Sequence, residues 1–188
     1  MEIIMKCMTS STIKYFVRVV IILIFVDQVI KIIVSSKYMN DYYLIWKDIL
    51  WFNPIHNTNL TWWGSLGIIG FNNRGFVIGL AIVLLWLGIR IYSYWIAVLN
   101  KRGKLVQITA TLLFAGLTCS LIDSLFWNGS VDYIQFSTWF IFDLKDCYLC
   151  GVAFLIIISE LVYGRNSGVI DLKDIGKYCL MLKRKNNN

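Results

Sequence analysis

Four apolar stretches, each about as long as a helix that crosses a bilayer, dominate this 188-residue sequence. A hydrocarbon core about 30 Å thick needs roughly 20 residues of helix, and the stretches at about 15–34, 76–99, 105–126 and 146–163 supply them. In lipid the backbone must satisfy its own polar groups, so such segments are predicted to be helices. Composition agrees: 58% of residues are hydrophobic and 15% charged, against roughly 45–50% and about 25% in soluble domains. A water-soluble fold, a collagen and a disordered chain are excluded, which leaves an all-α membrane protein, a four-helix transmembrane bundle.

The net charge of +7 reports topology once it is located. Lys6, Lys14 and Arg18 precede or open the first stretch, Lys101, Arg102 and Lys104 join the second to the third, and Arg165 follows the fourth. Basic residues near span ends stay in the cytoplasm, so both termini are expected there, with outer loops at 35–75 and 127–145. In those loops Lys37, Lys47, Arg74 and Lys145 are nearly balanced by Asp41, Asp48, Asp132 and Asp143. The chain thus divides into a membrane domain, 1–163, and a basic cytoplasmic tail, 164–188, suited to anionic lipid. No nucleic-acid partner is expected. The first stretch has the basic flank of a signal peptide but no small-residue cleavage site, so it should remain as a helix. In the first outer loop Trp46, Trp51, Trp62 and Trp63 suit an interfacial aromatic belt, and either short strands forming a small β-sheet or an interfacial helix fits there.

Charged groups inside a span cost on the order of 3 kcal/mol or more each and mark function by default. At 1.5 Å per residue, Asp27 and Lys31 lie roughly 18 Å and 24 Å along the outward-running first helix, at a spacing that permits an ion pair. Asp123 lies about 27 Å along the third helix, and the fourth begins at Asp146. Three acids and a lysine therefore converge at the outer end of the bundle. Arg90 and Glu160 fall near the cytoplasmic face, where pairing or snorkelling suits them.

Two carboxylates held close together do not both ionise comfortably, so one keeps a proton while the other acts as a base. Such a pair can deprotonate a water and protonate a scissile amide. Metal chemistry is poorly served, because His56 is the only histidine and sits in the outer loop; neither a metal nor a cofactor is expected. No glycine-rich phosphate loop is evident.

The residues DQVIK, Asp27–Lys31, resemble the D-Q-x-x-K of the first helix in the signal peptidase II family, the lipoprotein signal peptidases. HNTNLTWWG, His56–Gly64, is similar to that family's N-x-G-x-x-F region, with Asn57 at its asparagine and Trp62 in place of phenylalanine. SLIDSLFWNGSVDYI, Ser120–Ile134, looks like its G-N-x-x-D-R and the Gly, Val, Asp-Phe-Ile stretch that follows. FDLKDCYLCG, Phe142–Gly151, looks like its F-N-x-A-D block. The resemblance covers about Phe25–Gly151.

That resemblance implies a monomeric aspartyl protease of the bacterial plasma membrane, with four spans and cytoplasmic ends, which removes signal peptides from lipid-modified prolipoproteins. It implies Asp123 and Asp146 as catalytic aspartates, Asn57 and Trp62 as substrate contacts, and Asp27, Lys31 and Asp132 as supporting residues. The chain departs from the pattern at Cys119-Ser120 for Gly-Asn, at Ser124 for arginine and at Asp143 for asparagine. Asp143, if beside Asp146, is expected to favour protonation of the pair. Three other readings stay open: a pseudoenzyme of the same fold, a small channel or transporter using the buried acids, and a membrane thiol oxidoreductase built on Cys147 and Cys150.

Overall fold

The computed structural model describes residues 10–58, 74–97 and 104–163. Trp62, Trp63, Lys101, Arg102 and the tail at 164–188 lie outside the described residues, so the readings placed on them are not addressed. Among the described residues there are four long helices: α1 (Ser10–Ile33), α2 (Arg74–Ala97), α3 (Lys104–Ile122) and α4 (Leu144–Tyr163). Short π-helical turns extend α1 through Val34–Tyr38 and α3 through Asp123–Trp127. The segment Lys104–Trp127 has a mean hydropathy of 1.9 over its most apolar part, enough by length and composition to cross a bilayer.

Helix α3 is the hub, packing against α1, α2 and α4. Its inward residues are small, with Ala110, Ala115, Gly116 and Cys119 buried, so neighbouring backbones approach closely. At Gly116 an added Cβ would lie 2.7 Å from Leu149 Cδ2 on α4, a separation no methyl tolerates. The outward faces are apolar as well: Ile21, Ile22 and Phe25 on α1, Ile82, Val83 and Trp86 on α2, and Phe154, Ile157 and Leu161 on α4 are all exposed. A helix apolar on every side belongs in lipid, which accounts for how little periodicity these segments carry.

A four-stranded antiparallel sheet crowns one end, in the order β1 (Tyr43–Trp46), β2 (Leu50–Asn57), β3 (Ser130–Phe136) and β4 (Phe140–Phe142). The sequence reading allowed strands only after the first helix. Half of the sheet instead comes from the second outer loop, whose short runs give too little alternation to announce themselves. Strands β2 and β3 pair Asn57 with Ser130 and Ile55 with Asp132, and the register shifts between Phe52 and Ile55. Pro54 lies in that interval and has no N–H for the ladder. Val131 and Tyr133 on β3 pack with Val34 on the turn after α1, alongside Ile30, Phe52 and Trp127. This contact fixes β3 to the helix ends that carry the charged residues.

Candidate active site

The last turn of α3 widens into the π-helical turn that begins at Asp123, and Asp123 and Ser124 are buried within it. Such turns let a side chain leave the regular helical spacing. Ser124 Oγ donates to the carbonyl of Ser120, 2.9 Å away. The turn ends at Asn128, left-handed at φ 52°, followed by Gly129 at φ 149°, where an added Cβ would strike the carbonyl of Asn57. Only glycine fits, and the close approach delivers Ser130 into β3 opposite Asn57. Arg74, at the start of α2, secures the turn from outside: it donates to the carbonyls of Ser124 at 2.7 Å and Leu125 at 2.5 Å. A guanidinium there meets the negative end of the α3 dipole.

Helix α4 opens with a reciprocal cap. The backbone N–H of Asp146 donates to Asp143 Oδ1 at 3.0 Å, and the N–H of Asp143 donates to Asp146 Oδ2 at 3.3 Å. This is the capping-box arrangement, with aspartate at both ends. The departure from asparagine at 143 therefore keeps the cap. Asp27 on α1 takes a third N–H of the same turn, accepting from Lys145 N at 3.1 Å. The first turn of α4 is thus held from two sides.

Between these elements lies a charged network. Lys31 Nζ is 2.9 Å from Asp27 Oδ2, 2.6 Å from Asp123 Oδ2 and 2.7 Å from Asp143 Oδ2. Lys145 Nζ is 2.5 Å from Asp143 Oδ2 and 3.1 Å from Asp123 Oδ2. Ser130 Oγ donates to Asp143 Oδ2 at 2.9 Å and stands 3.3 Å from Asp123 Oδ2. Gln28 donates to Asp27 and to Asp123 Oδ1 at 3.2 Å while accepting from Trp127 Nε1 at 3.0 Å. Asn57 Nδ2 donates to Asp132 Oδ2 at 2.8 Å, whereas the buried Asp132 Oδ1 has no hydrogen-bond partner among the described residues. Burial works against the charge of Asp143, but the ammonium groups of Lys145 and Lys31 outweigh it and hold its pKa below the ordinary value. Burial pushes Asp132 the other way, upward, despite Lys145 and the Asn57 hydrogen bond.

Asp27, Lys31, Asp123, Asp132, Asp143 and Asp146 are therefore gathered at one end of the bundle with Asn57, while Trp62 lies outside the described residues. Carboxylate oxygens of Asp132, Asp143 and Asp146 lie within 4.8 Å of one another, and the cations placed on this group are the two lysines. Asp123, the expected partner of Asp146, connects to it through Ser130 and Asp143, whereas Asp132 lies beside Asp146. The expected tuning of the pair by Asp143 acquires a counterweight, because the same carboxylate carries both ammonium groups. His56 contacts the carbonyl of Trp127 through Nε2 at 2.9 Å. Arg90 lies over the Trp86 ring at 5.0 Å, a cation–π contact; the Glu160 side chain lies outside the described residues. Cys147 and Cys150 are exposed on α4 and Cys119 is buried.

Sequence reasoning overlooked Ser130, Lys145 and Arg74. Lys145 had a signal, since it replaces the alanine of F-N-x-A-D two residues after the altered Asp143. Arg74 and Ser130 had none, because their roles depend on the sheet and the π-helical turn.

Comparison with known proteins bears on the family and the fold. Residues 19–162 match the family described as signal peptidase (SPase) II. The lipoprotein signal peptidase of Halothermothrix orenii is 27% identical over 141 residues, covering 74% of this chain and 90% of that protein. A bacterial membrane enzyme solved by the in meso method superposes with a TM-score of 0.67 at 23% identity, over 82% of this chain and 92% of its own. A second such structure gives 0.66 at 23%, over 79% and 94%; these two likenesses concern the fold. With most of its length inside the family match, and with the membrane architecture those relatives share, this chain belongs to the signal peptidase II family.

Proposed function

We propose that the chain is an aspartic-type endopeptidase that cleaves signal peptides from lipid-modified prolipoproteins, with Asp132 and Asp146 as the catalytic pair and Asp123 as a supporting acid held by Lys31 and Gln28. It acts in the bacterial plasma membrane with four spans, both termini cytoplasmic and the sheet on the outer face. The observation that carries this reading is the way the two acids are held. Asp146 is oriented by its reciprocal cap with Asp143, and Asp132, with a carboxylate oxygen within 4.8 Å of one on Asp146, by Asn57, which leaves its second oxygen buried and without a partner among the described residues. Neither depends on a flexible loop.

In this reading a water lies between the pair. One carboxylate takes its proton as it attacks the scissile carbonyl, and the other donates a proton to the leaving amine. The two ammonium groups stabilise negative charge that develops beside them. Asn57 and the edge of the sheet form the platform on which the extended peptide rests, and the surrounding apolar helix faces accept the acyl chains. One chain supplies every proposed residue, from its helices and its sheet, so a monomer suffices.

The test is incubation of the purified, lipid-reconstituted protein with a lipid-modified prolipoprotein, read as a mobility shift on a gel. Release of the signal peptide by the wild type, and its loss in Asp132→Asn and Asp146→Asn, is the expected result. Cleavage that survives both substitutions overturns the assignment.

A further inference from the structure

Far from the acid cluster, α1 and α3 leave an apolar groove of about 460 Å³ between them. Its walls are Tyr15, Phe16, Val19 and Leu23 on α1 with Ile108 and Leu112 on α3. Over 15–23 and 104–112 it runs about 12 Å along both helices, at 1.5 Å per residue. That is most of one leaflet's share of a hydrocarbon core about 30 Å thick. Asp123 lies about 28 Å beyond Lys104 on the same helix, so the groove and the acid cluster occupy opposite ends of the bundle.

The walls are fixed and offer little to water. Phe16 stacks on Tyr92 with ring centroids 5.2 Å apart and meets Phe114 edge-on at 5.8 Å, which holds its ring in place. Thr111 Oγ1 donates to the carbonyl of Gln107 at 2.7 Å, so that hydroxyl is turned back on its own helix. Apolar cavities of this kind stay dry, and in a bilayer an acyl chain fills them.

The charge at the mouth has one sign. Lys104, the first residue of α3, lines the groove and is exposed, and Lys14 and Arg18, exposed one helical turn apart on α1, flank Tyr15. Among the described residues no acidic side chain lines the groove. A tyrosine near a helix start suits the headgroup level, where long basic side chains rest their stems on apolar surface and hold their heads at the phosphates. A neutral lipid would fill the groove without answering the cations, and a free phosphate would answer the cations and leave the groove empty.

We propose that this groove binds one anionic diacyl phospholipid, with an acyl chain between α1 and α3 and its phosphate at Lys104, Lys14 and Arg18. In the proposed orientation that lipid belongs to the cytoplasmic leaflet, whose surface is negative. It ties α1 to α3 at the end opposite the Lys31–Asp123 contact and stabilises the bundle by mass action. The acyl chains of a prolipoprotein would lie at the other end, so the site stands independently of the peptidase reading.

The full chain, purified in neutral detergent, is titrated with phosphatidylglycerol or phosphatidylcholine, and retained lipid is read by native mass spectrometry. Wild type should hold phosphatidylglycerol on the order of tenfold more tightly or better, because each basic residue at a membrane surface contributes about fivefold. Lys104→Gln should lose about that fivefold. Ile108→Trp, which fills the groove and leaves the charges, should lose retention of both lipids. Inorganic phosphate at equal concentration should displace neither. Equal retention of the two lipids by wild type, an undiminished preference in Lys104→Gln, or displacement by inorganic phosphate overturns the proposal. So does a folded Ile108→Trp protein that keeps phosphatidylglycerol as wild type does, with folding checked by the unfolding temperature without added lipid; if tryptophan is not accommodated there, Lys104→Gln decides alone.

Discussion

Lys31 Nζ lies 2.6 Å from Asp123 Oδ2, and the two side chains, from helices α1 and α3, are 0% and 3% exposed. The lysine is shared, because Asp27 and Asp143 lie within 2.9 Å and 2.7 Å of the same nitrogen. Removing one member of a buried ion network leaves its partners uncompensated, at a cost of about 3–5 kcal/mol. Lys31→Met should therefore lower the unfolding free energy in detergent by that amount. A change under about 1 kcal/mol would mean that the acids relax independently of Lys31.

Asp132→Asn and Asp146→Asn should each reduce cleavage by about 10²–10⁴-fold, the usual contribution of a positioned acid or base. Asparagine retains the shape and hydrogen-bond acceptance but transfers no proton. At position 146 the amide oxygen can still accept from the N–H of Asp143, so insertion and thermal stability should stay close to wild type. Rates of the purified variants, compared at several pH values, provide the check.

Cleavage should not depend on thiols. Cys147 and Cys150 are exposed on α4, and neither takes part in the hydrogen-bonded network around Asp123 and Asp146. The double change Cys147→Ser with Cys150→Ser should keep activity within about twofold, since surface substitutions of this kind are usually near neutral. A collapse of activity in that variant would shift weight to the oxidoreductase reading.

Gly129→Ala should damage stability and activity together. The residue sits at φ 149° and its added Cβ would strike the carbonyl of Asn57. Backbone strain of this sort costs on the order of 1–3 kcal/mol, and relief requires β2 and β3 to separate where Asn57 faces Ser130. Both Asn57 and Ser130 contact the acid cluster, so the loss in kcat should exceed what partial unfolding explains. Activity measured per folded molecule distinguishes the two effects.

How far this arrangement could be read from sequence depended on the kind of signal each part left. The helices were legible because lipid demands length and apolarity, and Asp27–Lys31 because the spacing of four residues puts both on one face. Asp123, Asp132, Asp143 and Asp146 stood out through depth and resemblance. The strands of the second loop were not legible: β4 has only three residues, and β3 gains its definition from pairing with β2 and docking on Val34. Lys145 was visible as a departure from pattern, but counting loop charges made it a topological bystander. Its partners became clear only when α4 was seen to begin at Leu144, which turns its stem into the cluster.

Asp132 provides a pH signature for the folded state. It lies on β3 with 3% exposure, Oδ2 accepts from Asn57, and Oδ1 is buried without a partner among the described residues. Burial raises its pKa above the ordinary aspartate value. For a carboxyl raised on folding, the native state binds more protons than the unfolded state between the two pKa values, so stability falls as pH rises through that window and stays reduced above it. The cost is absent below the unfolded value. Asp132→Asn removes the titration while keeping an acceptor for Asn57. The variant should therefore unfold at a higher temperature than wild type at pH 7–8, and the difference should shrink as pH falls toward the ordinary carboxylate range. Asp143, held below its ordinary value by the two ammonium groups, has the opposite sign: its contribution is present at neutral pH and is lost as pH falls through its folded pKa. Asp143→Asn should accordingly flatten the acid side of the stability profile while Asp132→Asn flattens the rise toward it. Melting curves of the two variants between pH 3 and 8 would separate these effects, and parallel curves for both would show that neither carboxyl changes its protonation on folding.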